Sequence, residues 1–174
     1  MGRVATERTV AFKGEQTPLA GDAVNLGDKA PNFEVVDRDL NIKTLEDWAG
    51  KVRMLSVVPS LDTPVCDTQT RRFNEEASRF GDKVVVLTVS MDLPFAQNRW
   101  CGAAGLEGII TLSDFRNASF GQNWGTLMQD WRLESRAVFV VDTDDIVRYV
   151  EYVPEIGKHP DYAAALRAVE ALIS

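Results

Sequence analysis

The chain has 174 residues, 45% of them hydrophobic and 26% charged, the composition of one soluble globular domain with a sizeable core. A net charge of −7 argues against a general nucleic-acid or anionic-membrane binder, which needs a basic footprint. No run reaches transmembrane length, and the N-terminal stretch with Arg3, Glu7, Arg8, Lys13 and Glu15 has no apolar signal core, so a single cytoplasmic domain over 1–174 is expected.

Residues 9–12 alternate, Lys13-Gly14-Glu15 follows, and 16–19 continues the pattern. This predicts a hairpin within an N-terminal extension over 1–20, with Pro18 confining its second arm to an edge. A connector punctuated by Gly, Asp and Pro covers 20–32. Short extended segments at 33–36 and 42–45 flank the turn Asp37-Arg38-Asp39, and 45–49 starts a short helix. Runs 52–58 and 84–89 are near-continuous apolar and β-branched, the pattern of strands covered on both faces. Between them, a helix over 67–80 puts Phe73, Ala77 and Phe80 on one face. Strand, helix, strand at this spacing is a right-handed crossover.

A helix over 94–103 comes next, with Pro94 in its first turn, where proline is tolerated. A strand at 109–112 and a short helix near 118–124 follow. Strands at 137–141 and 146–152 are separated only by Asp142-Thr143-Asp144-Asp145 and must form an antiparallel hairpin. The last helix lines up Tyr162, Leu166, Val169 and Ile173, with Asp161 as its N-cap. The predicted class is α/β and thioredoxin-like: a central mixed sheet flanked by helices, with an N-terminal β-hairpin. A flavodoxin-like sheet would need a further crossover helix between the last two strands, and four residues cannot supply one.

Pro59-Ser60-Leu61-Asp62-Thr63-Pro64-Val65-Cys66 sits between the 52–58 strand and the 67–80 helix. A thiol at a strand-to-helix junction lies near the positive end of the helix dipole, where a thiolate is stabilised. Thr63 adds a hydroxyl three residues upstream, and two prolines stiffen the turn. A free cysteine is also often a small buried hydrophobe, and position alone leaves both readings open. Other thiol chemistries are excluded more firmly. Cys66, Cys101 and His159 are the only Cys and His residues, too few for an ordinary four-ligand zinc site. Gln69 stands where a C-x-x-C motif would have its second cysteine, so a thioredoxin-type dithiol is absent. His159 reads as a solvated loop residue, and no metal or cofactor is expected.

A thiolate that attacks a peroxide must be ionised, must reach the oxygen, and needs the O–O bond polarised as it breaks. Thr63 can hold peroxide or thiolate by its hydroxyl, and amides of the first helical turn can donate to the same place. An arginine suits the third part, with a permanent charge and a rigid fork of donors. Ionisation alone supplies little. Lowering a generic thiol from about 8.5 to about 6 raises its thiolate fraction at neutral pH roughly thirtyfold. The accompanying loss of nucleophilicity returns roughly tenfold of that. Donors to the transition state must carry most of the acceleration.

Pro59-x-x-x-Thr63-x-x-Cys66 matches the peroxiredoxin active-site pattern, and the run from Pro59 to Asn74 resembles the bacterial thiol peroxidase branch of that family. So do Asp92-Leu93-Pro94-Phe95-Ala96-Gln97 leading to Cys101-Gly102, Thr111 to Asn117, Asp28 to Phe33, and Arg136-Ala137-Val138. The resemblance implies that Cys66 is the peroxidatic cysteine and that Thr63 orients the peroxide. It implies that Arg136 is the catalytic guanidinium, that Pro59 shapes the pocket, and that Cys101 is the resolving cysteine. The implied activity is reduction of hydrogen peroxide and organic hydroperoxides through a Cys66 sulfenic acid, resolved by an intrachain disulfide with Cys101 and regenerated by thioredoxin. A homodimer is implied as well.

Taken alone, Cys101 before a glycine in a helix is more often packing than chemistry; its segment match reverses that. The two cysteines are 35 positions apart on separate helices, so a disulfide requires local unwinding of one or both. Trp100 and Trp131 read as packing residues, and Arg132 and Arg148 as surface charges. A redox sensor or relay using the same pair, and a non-catalytic thioredoxin-like module with buried thiols, are the competing functions.

Overall fold

The structure, a computed structural model, describes residues 7–106 and 109–174; the start of the expected 1–20 extension lies outside them. Strands β1 (Thr9–Phe12) and β2 (Glu15–Pro18) form the predicted antiparallel hairpin. Two-residue strands β3 (Val35–Val36) and β4 (Ile42–Lys43) flank the 37–40 turn, and a 3-10 turn over Leu45–Trp48 follows. Next come β5 (Val52–Val57), α1 (Pro64–Ala77), β6 (Val84–Ser90), α2 (Pro94–Ala104) and β7 (Ile110–Ser113). The chain closes with α3 (Ser119–Trp124), β8 (Leu127–Met128), β9 (Leu133–Glu134), β10 (Ala137–Val141), β11 (Val147–Tyr152) and α4 (Tyr162–Ile173).

The main sheet runs β11-β10-β5-β6-β7-β3-β4. β5, β6 and β7 are parallel, and their neighbours on both sides are antiparallel. This is the predicted mixed sheet. Alternation along the strands divides the core. Leu55, Val57, Leu87, Val89, Leu112 and Phe139 pack with Phe33, Phe120 and Trp124 on one face. Val52, Met54, Val86, Val138 and Val140 meet Phe73 of α1 and Tyr162, Leu166 and Val169 of α4 on the other. Asp161 caps α4 as expected, accepting from Ala164 N at 3.0 Å.

Several expectations are corrected. α1 begins at Pro64, three residues before the expected 67, because Pro64 occupies N1 with its preset φ. Cys66 therefore lies inside the first turn and not ahead of it. The helix ends early at Ala77; a 3-10 segment carries the chain through Gly81, whose φ of 62° and ψ of −145° no helix accepts. The 52–58 run also hides Arg53, fully buried on β5, whose Nη2 reaches Asp142 O at 2.5 Å and Asp145 Oδ1 at 2.6 Å. The β8–β9 ribbon was not anticipated, each strand being two residues long. Trp131 lies in that connection, 54% exposed and edge-on to Phe12, so it is not a core packing residue.

Candidate active site

β5 delivers the chain to Val58, whose N–H bonds Val89 O, and to the buried Pro59. The loop beyond is clamped from the end of β6. Asp92 Oδ1 accepts from Ser60 Oγ and Asp92 Oδ2 from Leu61 N, both at 2.8 Å. Ser90 Oγ also donates to Oδ2, and Ser113 Oγ to the Asp92 carbonyl. Thr63 is the extended N-cap of α1, but its side chain makes no capping bond. Its Oγ1 donates to Ser60 O at 3.0 Å instead. The hydroxyl proton is thus committed to the loop, and the oxygen is left to accept. Thr63 is exposed, so it suits the hydroxyl of an incoming peroxide better than a thiolate, which would need its proton. The first intrahelical bond runs from Asp67 N to Thr63 O, which leaves the Val65 and Cys66 amides ahead of the ladder.

Cys66 is fully buried against Val58 and Leu61, with Trp100 beside them. Arg136, also buried, comes from the start of β10 and donates from Nη2 to Cys66 Sγ at 3.3 Å. The rest of its fork is committed. Nε and Nη2 bond Ile156 O at 3.0 and 2.9 Å, and Nη1 bonds Gln69 Oε1 at 3.0 Å. Gln69 is held in turn by donating from Nε2 to Ser56 Oγ at 2.9 Å. No ion pair among the described residues involves Arg136. The nearby Asp67 carboxylate is taken by Arg71 Nε at 2.8 Å and Trp100 Nε1 at 3.1 Å. A buried cation without a carboxylate costs several kcal/mol, and the group placed to compensate it is the Cys66 sulfur. Burial pushes the Tyr162 hydroxyl up, opposed by Arg136 and Arg72; it bonds His159 Nδ1 at 2.8 Å, so His159 is exposed but not simply solvated.

The N-terminal hairpin supports this fork from behind. Ile156 N donates to Ala11 O, and Ala11 N donates to Pro154 O, both at 3.0 Å. Val10, Leu19 and Met128 pack with the Ile156 side chain.

Cys101 is buried in α2, in a neighbourhood apart from Cys66, and both thiols are free. Burial pushes the Cys101 thiol up, opposed first by the charge of Arg38. α2 ends on Gly105 in the left-handed region, φ 69°, a usual helix stop. Trp100, the residue before it, packs beside Val58, Leu61 and Cys66 and bridges α2 to α1 by donating to Asp67. The five residues expected from sequence thus divide. Cys66, Arg136, Pro59 and Thr63 share one site, and Cys101 stands off it.

Sequence reasoning missed the roles of Gln69, Ser56, Asp92 and the Ile156 carbonyl. For Gln69 a signal existed: it lies three residues after Cys66 and four before Phe73, so a polar side chain falls on the buried face of α1.

The family described as Redoxin matches residues 25–166. A thiol peroxidase of Halalkalibacterium halodurans is 56% identical over 165 residues, covering 95% of this chain and 99% of its own. One from Staphylococcus aureus is 55% identical, covering 91% and 96%. A peroxiredoxin-like protein from Aquifex aeolicus superposes with a TM-score of 0.88 at 40% identity, over 95% of this chain and 98% of its own.

Proposed function

The chain belongs to the Redoxin family and to its thiol peroxidases, and from that premise we propose how its own residues reduce a hydroperoxide. Cys66 attacks as the thiolate. The observation that carries the reading is the buried Arg136 Nη2, 3.3 Å from Cys66 Sγ and without a carboxylate partner among the described residues. Thr63 Oγ1, its proton committed to Ser60 O, accepts from the peroxide hydroxyl and turns the O–O bond toward the sulfur. Arg136 and the amides ahead of the α1 ladder stabilise the charge that develops on the oxygens. Pro59 closes the pocket beneath. The sulfur takes one oxygen, the O–O bond breaks, and the other oxygen leaves with a proton as alcohol or water.

Cys101 then condenses with the Cys66 sulfenic acid, releasing water and forming an intrachain disulfide. A thioredoxin-type dithiol reduces that disulfide, which returns two electrons for each peroxide consumed. The cycle needs no cofactor. The same reading takes 1–174 as one domain, acting in the cytoplasm as a homodimer. Leu93 and Phe95, 51% and 68% exposed beside the Cys66 loop, give a second copy an apolar face.

Peroxide consumption coupled to thioredoxin, thioredoxin reductase and NADPH tests the cycle. Cys66→Ser should abolish turnover, and Cys101→Ser should pass once and stall as a sulfenic or sulfinic acid. Full turnover in Cys101→Ser would assign resolution to an outside thiol. A wild type that reacts once and is not recycled would favour a sensor.

A further inference from the structure

α2 is held at two places, and they lie on different sides of the helix. Gln97, buried, donates from Nε2 to Leu112 O at 3.0 Å and to Ser90 Oγ at 3.1 Å, which fixes one side against β6 and β7. Cys101 is four residues on and also buried, so it shares that sheet-facing side. Trp100 is turned about 100° away from it and meets α1. Its indole packs beside Val58, Leu61 and Cys66, and Nε1 donates to Asp67 Oδ1 at 3.1 Å. Arg71 backs the contact. Its Nε bonds Asp67 Oδ2 at 2.8 Å, and its guanidinium lies 5.6 Å from the centre of the Trp100 ring, within cation–π range. The residue before one cysteine is thus bonded to the residue after the other.

The geometry points to Trp100 as a latch on the resolution step: its bond to Asp67 holds α2 closed, and Cys101 away from Cys66, until the bond is released. This positioning role rests on the Cys66–Cys101 cycle proposed above. A disulfide needs its two Cα atoms within about 4.4–6.8 Å, too close for an indole to stay on the side of Cys66 that α2 must approach. Whichever helix gives way, the Trp100–Asp67 bond is lost, because each partner is next in sequence to a cysteine that has to turn. In the step that follows, the Cys101 sulfur bonds the Cys66 sulfenic sulfur and the S–O bond breaks. The oxygen leaves as water after gaining the proton that Cys101 gives up. The latch therefore stabilises the forms before the disulfide and is absent from the disulfide itself. Beyond Cys101 little resists the movement: Gly102 is a poor helix former, and α2 stops at Gly105. A phenylalanine would fill the same space, so the indole N–H is what adds the tie.

Trp100→Phe keeps an aromatic ring beside Cys66 and removes the donor; Asp67→Ala removes the acceptor. The reduced chain is mixed with hydrogen peroxide at concentrations where disulfide formation no longer depends on peroxide. Samples are quenched in acid at intervals, free thiols are alkylated in denaturant, and mass spectrometry separates doubly labelled dithiol from unlabelled disulfide. A hydrogen bond to a charged group, with both partners part-exposed, favours the closed form by about fivefold. Opening precedes attack, so each variant should form the disulfide about fivefold faster than wild type. The double variant should gain no more than either alone, since both changes remove one bond. In glutathione redox buffers each variant should also show a reduction potential about 20 mV more negative, which is fivefold in a two-electron equilibrium. A general loss of packing, equal in both redox forms, would leave that potential where it is. An unchanged or slower rate in either single variant overturns the latch, as does a double variant faster by the product of the two. Those results leave the parent cycle standing. If the oxidised wild type contains no intrachain disulfide, the cycle itself fails, and the latch with it.

Discussion

The two thiols sit under helices on one face of the same sheet, yet their surroundings differ in how completely polar groups are matched. A row of hydroxyls links them: Ser56 on β5 pairs with Thr88 on β6, and Thr88 with Thr111 on β7. At the Cys66 end the row is satisfied. Ser56 accepts from Gln69, Gln69 orients Arg136, and Ile156 O takes the rest of the fork. At the Cys101 end Thr88 Oγ1, Thr111 Oγ1 and Gln97 Oε1 are buried without a hydrogen-bond partner among the described residues. Each such group costs about 1–3 kcal/mol relative to a solvated one. A closed network fixes donors before reaction, as transition-state stabilisation requires. An unmatched seam lowers the cost of lifting α2, as disulfide formation requires.

The largest effect should come from cutting the closed network at its centre. Arg136→Met removes a donor aimed at the reacting oxygens, a change worth about 10²–10³ in rate at comparable sites. The second-order rate with peroxide should fall by that factor, and by far more than the thiolate fraction read by absorbance at 240 nm. Equal losses would mean that ionisation and not oxygen stabilisation is the main contribution. Thr63→Val should show the same imbalance in milder form.

One step outward, Gln69→Leu keeps volume in α1 but releases Arg136 Nη1 and Ser56. Arg136 keeps its bonds to Ile156 O, so the guanidinium stays near but is less well aimed. About a tenfold loss in the peroxide step is expected, the scale of one misaligned charged hydrogen bond. An unchanged rate would show that the Ile156 carbonyl suffices to hold the fork.

These two positions also show what the sequence could and could not say. The placing of Cys66 and Thr63 at a strand-to-helix turn was legible from a short motif between an apolar run and a helical one, whereas Arg136 was singled out by the resemblance of its segment. The parallel core and the closing hairpin were legible because periodicity and loop length allow few alternatives. For Gln69 only its place on the buried face of α1 was legible; its partners lie at 56 and 136, and no local pattern joins those positions. The Ile156 carbonyl is backbone, invisible to residue type. The buried role of Arg53, inside a run read as near-continuous apolar, was not legible because its partners Asp142 and Asp145 come from a distant part of the chain. Start positions such as Pro64 slipped because a cap is set by backbone geometry that the apolar pattern does not record.

A buried acid pair provides a smaller and separate test of the matched region. Glu134, next but one to Arg136, is fully buried and accepts from Thr126 Oγ1 at 2.6 Å. Burial first, and then the hydrogen bond and charge of Asp114, push its carboxyl well above the ordinary range, with Arg132 opposing. Asp114 is itself engaged by Phe120 N and Gly121 N. Folding thus favours protonated Glu134. Its contribution is fully present below the ordinary carboxyl range and is lost as pH rises through the raised folded value. Glu134→Gln mimics the protonated form, so its denaturant stability should vary less with rising pH. At alkaline pH it should exceed wild type by about 1 kcal/mol, the lower end of what a mismatched buried polar group costs. A parallel pH dependence in both proteins would place the sensitivity elsewhere.

The smallest effect probes the unmatched end directly. Thr88 Oγ1 is buried and has no partner among the described residues, so Thr88→Val removes a polar mismatch at nearly constant volume. Replacing such a hydroxyl by a methyl should be neutral or stabilising by up to about 1 kcal/mol. If α2 lifts off this seam when the disulfide forms, the wild-type hydroxyl regains water in the open state and the valine cannot. The variant should therefore fold at least as stably yet form the disulfide up to about fivefold more slowly, the same free energy expressed as an opening equilibrium. Amide exchange over 94–104 should slow in step. Trp100, which ties α2 to Asp67 of α1, should change fluorescence on oxidation in both proteins, only later in the variant. Faster disulfide formation in Thr88→Val would show that α1, not α2, gives way.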